Sequence, residues 1–211
     1  MKPETFGRIT LYNADCMDVM REMPDNAFDL AIVDPPYGLG DKKLTQGGTW
    51  AKKYKKGDCY WDVLPTKEYF SELFRVSKNS IIWGGNYFQL PPTRGFIVWD
   101  KISHLSTMSD CEYAWTSFDV NAKIIKCHRA WGGLNEKRIH PTQKPVPLYK
   151  WLIGNYAKSG DRILDTHLGS GSICIACDDL GFEMTGIELD PDYYEAARKR
   201  LIDHQAQQKL F

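Results

Sequence analysis

A chain of 211 residues, 43% hydrophobic and 26% charged, is long enough for one well-cored domain and short for two, so residues 1–211 are read as a single domain. No apolar run approaches the roughly 20 residues that span a bilayer, and nothing in Met1-Lys2-Pro3-Glu4 reads as a signal peptide, so a cytoplasmic protein without membrane contact is expected. The formal net charge of zero argues weakly against a nucleic-acid binder, because phosphate contacts usually draw on an excess of Lys and Arg.

Strand and helix signals alternate along the chain, which predicts an α/β fold. Ile9–Asn13 reads as a strand and Cys16–Met23 as a short helix. Phe28–Val33 is a continuous apolar run and reads as a buried strand. Residues 39–60 hold Gly47-Gly48 and a crowd of lysines, and read as a mobile loop. A helix over Thr66–Ser77 begins on a capping threonine. Asn79–Trp83, Gly95–Trp99 and Cys111–Thr116 read as strands. No periodicity is visible over 117–139. Val146–Ala157 reads as a helix and Arg162–Asp165 as a strand. A glycine turn then leads into a helix over Ser172–Leu180. Met184–Glu188 is the next strand, and Pro191 to about Gln205 the last helix. Six cysteines are scattered, and a disulfide framework is not expected in such a chain. Cys174 and Cys177 form a C-x-x-C inside a helix, with no second ligand pair at zinc spacing, so no metal is expected.

Three segments carry chemistry. The first is Asp34-Pro35-Pro36-Tyr37, directly after the buried strand. The prolines end the strand, and neither can donate a hydrogen bond. They leave a carboxylate, carbonyls and an aromatic ring at the C-terminal end of a parallel-type strand, where open α/β sheets bind ligands. A carboxylate and a carbonyl can accept both hydrogens of an exocyclic amine, and a tyrosine ring can stack on a nucleobase. The second is Asp165-Thr-His-Leu-Gly169-Ser170-Gly171-Ser172, a glycine turn between a strand and a helix. Glu188 ends the following strand, where an acidic group can take both hydroxyls of a ribose. The loop lacks the third glycine of a dinucleotide site and the Gly-Lys-Ser of a P-loop, so one nucleoside such as S-adenosylmethionine fits better than NAD or ATP. The third is His140-Pro-Thr-Gln-Lys-Pro145, stiffened by its prolines, in which Thr142 and Lys144 could face a carboxylate. Each segment alone is also ordinary turn chemistry.

In order along the chain, these segments resemble the β-class amino DNA methyltransferases, from about Ile9 to Leu201. Trp83-Gly-Gly-Asn-Tyr87, Trp99-Asp-Lys101 and Cys111-Glu-Tyr-Ala-Trp115 look similar to the compact versions of bacteriophages and prophages. The resemblance implies a Rossmann-like class I methyltransferase fold, circularly permuted, with a mostly parallel seven-stranded sheet whose last strand is antiparallel and helices on both faces. It implies S-adenosylmethionine as cofactor. Asp15 and Cys16 would hold its adenine and Glu188 its ribose. Asp165, Gly169, Ser170 and Gly171 would line its methionine portion, with Thr142 near its carboxylate and Asp34 close by. His167 stands where the family usually has a phenylalanine, and it would stack in that ring's place. Asp34, Pro35, Pro36 and Tyr37 would hold the target base, adenine at N6 because the motif opens on Asp, with cytosine at N4 as the alternative.

The implied partner is double-stranded DNA. Lys42, Lys43, Lys52, Lys53, Lys55 and Lys56, in the loop over residues 41–60, would meet phosphates. A small target-recognition segment is expected over 117–139, with Arg129, Lys137 and Arg138. A homodimer would extend so short a footprint. In the tail, residues 205–211, the run Gln207-Gln-Lys-Leu-Phe211 resembles the peptide that docks on the replication sliding clamp. The rival readings are methylation of RNA or of a protein glutamine amide, and a nonenzymatic DNA- or clamp-binding module. The sequence leaves open whether a restriction nuclease accompanies the protein.

Overall fold

The computed structural model describes residues 2–38, 63–102, 109–128, 139–140 and 142–208. Its strands are β1 (Glu4–Phe6), β2 (Ile9–Asn13), β3 (Phe28–Val33), β4 (Ser77–Trp83), β5 (Phe96–Asp100), β6 (Cys111–Thr116), β7 (Lys123–Lys126), β8 (Arg162–Asp165) and β9 (Glu183–Glu188). Its helices are α1 (Cys16–Glu22), α2 (Lys67–Val76), α3 (Val146–Tyr156), α4 (Ser172–Leu180) and α5 (Pro191–Gln208), with a 3₁₀ turn over Gly85–Tyr87. Among the described residues no helix is long and apolar enough to cross a membrane.

All nine strands join one sheet in the order β1-β2-β9-β8-β3-β4-β6-β5-β7. The run from β2 through β9, β8 and β3 to β4 is parallel throughout. β6 is antiparallel to both β4 and β5, and β1 closes an antiparallel hairpin on β2. The sheet is therefore mostly parallel, as expected, but it has nine strands where seven were expected. β1 and β7 add one at each edge. The last strand in the chain, β9, has parallel neighbours on both sides, and the antiparallel strand within the body of the sheet is β6.

The apolar run of β3 follows from its central position. Leu30 and Ile32 pack on one face, with α3, α4 and α5. Ala31 and Val33 pack on the other, with α1 and α2. A strand covered on both faces cannot alternate apolar and polar residues. β4 is divided the same way, Ile81 and Trp83 against Ile82. Asp15 caps α1 by accepting from the Met17 N–H at 2.8 Å, and Thr66 caps α2 from the Tyr69 N–H. Arg75, in the last turn of α2, donates to the Met20 and Met23 carbonyls at the end of α1. That contact locks the two helices on their face together and closes carbonyls a helix end leaves orphaned.

Two departures from the expected elements lie at the sheet's edge and the chain's end. The segment 117–139 contains β7, a four-residue edge strand parallel to β5. Its pairing is nonlocal, and Ile124 stays exposed, so local apolar period gives no warning of it. The last helix continues to Gln208, so the start of the expected tail is helical and Gln207 is exposed on it. The six loop lysines, Arg129, Lys137, Arg138 and the last three residues of the proposed clamp peptide lie outside the described residues.

Candidate active site

A cavity of about 420 Å³ opens at the C-terminal ends of β2, β9, β8 and β3. That volume is within the range of small-molecule sites. Its position is the crevice of an open sheet where the chain turns one way from β8 and the other way from β3. Asp15, Cys16, Asp34, Pro35, Pro36, Tyr37, Thr142, His167, Gly169, Ser170 and Glu188 all line it. Thus one cavity gathers residues from five separate stretches of sequence.

The side under β8 and β9 is held largely by backbone. Glu188 ends β9, and its two oxygens accept from the Gly169 N–H at 2.7 Å and the Asp190 N–H at 3.0 Å. Burial nevertheless pushes its carboxyl above the usual range. Gly169 takes a φ of +53°, which a side chain would resist. Arg200 of α5 braces the same turn by donating to the Ser170 carbonyl and to Ser172 Oγ. Cys16 lines the same cavity just beyond β2, the strand that pairs with β9. Burial, with Asp15 beside it, pushes its thiol up to about 12, so it presents a neutral surface.

His167 is pushed down to about 4 by burial, and is therefore neutral at physiological pH. Its Nδ1 shares a 2.9 Å hydrogen bond with Thr166 Oγ1, and Tyr69 meets its ring edge-on. A neutral ring held against Tyr69 is compatible with the apolar part expected of it. His140 is likewise pushed down to about 4, by burial and then by Lys144. It bonds Thr142 Oγ1 through Nδ1 and packs against Tyr193.

Two expected site residues do not line the cavity. Asp165 is buried one layer back and accepts the His167 N–H at 3.0 Å. Burial pushes its carboxyl up to about 8, so it is largely neutral at pH 7 and acts from behind the wall. Gly171 caps α4 with a φ of +67°, and a Cβ there would come within 3.0 Å of Ala197. Its role is to let α5 pack close to the turn.

The side under β3 is held by side chains. Tyr37 donates its hydroxyl to Asp34 Oδ1 at 2.6 Å. Its ring stacks on Tyr87 at 4.9 Å, with Phe88 edge-on. Gly84, at a φ of +69°, makes room for that ring: a Cβ would lie 2.2 Å from Tyr37 Cε1. The second Asp34 oxygen pairs with the Lys144 ammonium. Lys144 also lies 3.2 Å from Glu112 Oε2, and Glu112 Oε1 lies 2.8 Å from Lys101 Nζ. Glu112 and Lys101 are functional candidates that sequence reasoning missed. Both lie in segments singled out only for family resemblance and, for Glu112, as a strand, and nothing local marks Glu112 as a partner of Lys144 beside Asp34. Among the described residues no group of three or more His, Cys, Asp or Glu is placed to hold a metal ion.

The donors present suit a nucleoside ligand beside an amine. Glu188 offers a fixed carboxylate, Cys16 and His167 offer neutral surfaces, and Asp34 offers a carboxylate at the far end. Comparison with known proteins agrees with that chemistry. The DNA methylase family model, N6_N4_Mtase, matches residues 82–199. The chain is 26% identical to the Type II methyltransferase M2.DpnII of Streptococcus pneumoniae, over 92% of this chain and 90% of that protein. It is 28% identical to the putative methylase YubD of Escherichia coli (strain K12), over 89% of this chain and 87% of that one. Among solved structures, the M1.HpyAVI–SAM complex superposes with a TM-score of 0.62 at 20% identity, covering 92% of this chain and 100% of that one. The cytosine-N4-specific PvuII DNA methyltransferase superposes at 0.64 with 12% identity, covering 96% and 93%. These structures speak for the fold, and the family model, which spans more than half of the sequence, speaks for the family: the chain belongs to the N6/N4 DNA methylases.

Proposed function

We propose that this protein transfers a methyl group from S-adenosylmethionine to the exocyclic N6 of adenine in double-stranded DNA. The observation that carries the reading is the placement of Asp34 and Glu188 on one cavity, at the ends of β3 and β9. The strands β8 and β9 lie mid-sheet yet come last in the chain, which supports the circularly permuted arrangement. When bound, S-adenosylmethionine supplies an electrophilic methyl on a sulfonium. Glu188 would hold the ribose, Asp15 and Cys16 the adenine, and Thr142, Gly169 and Ser170 the methionine end, with His167 packing beside it.

The exocyclic amine of adenine is a weak nucleophile because its lone pair is delocalised into the ring. Asp34 would accept one N–H and the Pro35 carbonyl the other. Both bonds favour a tetrahedral nitrogen with its lone pair directed at the donor. In direct in-line transfer the N–C bond would form as the donor's C–S bond breaks, and the surplus amine proton would pass to Asp34 or on to solvent; no covalent enzyme intermediate is needed, so acceleration comes from positioning and electrostatics. The base is out of reach inside a duplex and would be flipped out onto Tyr37. Tyr87 already stacks behind Tyr37, so the ring has a firm backing.

The leading Asp of the motif favours adenine over cytosine. The test is nucleoside mass spectrometry of unmethylated DNA after incubation with the protein and S-adenosylmethionine. N6-methyladenine supports the reading, and N4-methylcytosine keeps the mechanism while replacing the base. The loop lysines with Arg129, Lys137 and Arg138 are proposed to meet DNA. A variant neutral at Lys52, Lys53, Lys55 and Lys56 should show a flatter salt dependence of DNA binding, and an unchanged slope would remove them from the interface. Homodimerisation and clamp docking through Gln207–Phe211 are further proposals. Removal of the last five residues should abolish clamp binding and leave catalysis intact.

A further inference from the structure

Asp34 is already occupied by a cation that belongs to the protein itself. The Lys144 ammonium pairs with Asp34 Oδ2 and lies 3.2 Å from Glu112 Oε2. The Lys144 side chain is only 3% exposed. Glu112 Oε2 is buried as well, yet it accepts no hydrogen bond from the described residues. One ammonium therefore bridges two carboxylates, hydrogen-bonded to the first and ion-paired at 3.2 Å, without a well-aligned hydrogen bond, to the second. A buried acceptor left without a bond calls for a physical reason. A second position of the ammonium would supply its missing bond.

The chemistry of the amine provides the occasion for such a move. An ammonium presents N–H donors to Asp34 Oδ2, as the exocyclic amine of a base would. Tyr37 holds the other oxygen of the same carboxylate. A base amine that binds Asp34 would have to share Oδ2 with Lys144, which brings its N–H donors up against the ammonium and crowds it toward Glu112. We infer that Lys144 and Glu112 form a positioning pair: Lys144 holds the Asp34 carboxylate in place until the target amine arrives, then shifts its ammonium fully onto Glu112 Oε2. The inference rests on the base-modifying function proposed above.

The surroundings fit both positions. The Trp83 ring lies 5.2 Å from Lys144 Nζ, and a ring face attracts a cation without fixing its direction. Lys101 holds the other Glu112 oxygen, which anchors the carboxylate while the Lys144 ammonium moves. Burial alone would push the Glu112 carboxyl up, but Lys144 and Lys101 outweigh it and hold it below the usual range. Burial alone would push the Lys144 ammonium down, but Asp34 and Glu112 outweigh it and keep it charged. The part assigned to Lys144 is therefore positional, an ammonium held between two carboxylates.

The test uses full-length protein, DNA made by polymerase chain reaction and so unmethylated, and tritiated S-adenosylmethionine. Glu112→Gln removes the receiving charge at a partly exposed site while keeping the shape. It should lower kcat/KM for DNA by about tenfold or more, because Lys144 stays on Asp34, while S-adenosylmethionine affinity stays within about twofold. Glu112→Asp should recover part of the loss. Lys144→Met leaves two carboxylates without their shared cation, so the acid limb of the kcat/KM profile should move to higher pH. The double variant should be no worse than Lys144→Met alone, since the two residues act as a unit. A Glu112→Gln enzyme with unchanged kcat/KM, or additive losses in the double variant, would overturn the pair alone. No transfer by the unaltered protein would overturn the proposed function, and the pair with it.

Discussion

The two walls of the cavity are built from different materials. Under β8 and β9, backbone amides hold Glu188 from Gly169 and Asp190, and a positive-φ glycine shapes the turn. Under β3, side chains hold one another: Tyr37 and Lys144 share Asp34, and Lys144 and Lys101 share Glu112. A wall made of backbone is preorganised and has little freedom to change. A wall made of charged side chains can exchange partners at small cost in geometry. That division suits a reaction in which the nucleoside cofactor needs a fixed seat and the incoming base must displace something. A run of rings joins the walls, from Tyr87 through Tyr37, Phe88, Phe70 and Tyr69 to His167.

The hardest test of the side-chain wall is Asp34→Ala. It should lower methyl transfer by roughly 10³-fold or more, the scale of removing a main electrostatic group at a reacting atom. Isothermal titration should find S-adenosylmethionine affinity within about threefold of the unaltered protein, because Glu188 and the Gly169 turn remain. Near-normal turnover would show that Asp34 does not engage the amine.

Gly84→Ala separates ring placement from charge. Its Cβ would meet Tyr37 Cε1 at 2.2 Å in a conformation with positive φ, so the ring must move. The expected loss in kcat is roughly 10- to 100-fold, typical of a small misplacement at a reacting site. A fluorescence-monitored melt would establish that the variant is folded, and an unchanged kcat would break the link between Tyr37 and the base.

The backbone wall is probed by Glu188→Gln. S-adenosylmethionine affinity should fall by about tenfold, with KM for DNA little altered, since one charged hydrogen-bond acceptor is removed from the cofactor side alone. A loss that falls instead on KM for DNA would reverse the assignment of the two walls.

The smallest effect expected is a pH dependence of stability. His167 titrates at about 4 in the fold and near its ordinary value when unfolded. The unfolded chain then binds the proton more tightly. This contribution is fully present above the ordinary histidine range and is lost as pH falls toward 4. His167→Phe removes the group, so its stability should fall less between pH 7 and pH 5 in urea titrations, by on the order of 1 kcal/mol. Parallel pH curves for the two proteins would mean that His167 is not held neutral.

The sequence makes the local features of this fold and site readable. β3 and Asp34-Pro35-Pro36-Tyr37 can be read because the turn chemistry directly follows the apolar run. The Gly169 turn and Glu188 can be read because strand, turn and helix follow in order. Lys144 could be singled out as a residue for a carboxylate, but its partners Asp34 and Glu112 could not be named. Lys144 pairs with a residue 110 positions away, and no local pattern encodes such a pairing. β7 escaped for the same reason, since its bonds are to β5 and its own four residues show no apolar period. Asp165 and Gly171 were placed on the cavity wall because motif order says nothing of depth. One lies behind His167, and the other faces α5.

The most direct measurement is nucleoside mass spectrometry of unmethylated DNA incubated with the protein and S-adenosylmethionine, with Asp34→Ala as control. The expected result is N6-methyladenine from the unaltered protein and none from the variant. N4-methylcytosine would contradict the base assignment, and the absence of any modified base despite cofactor binding would contradict the account as a whole.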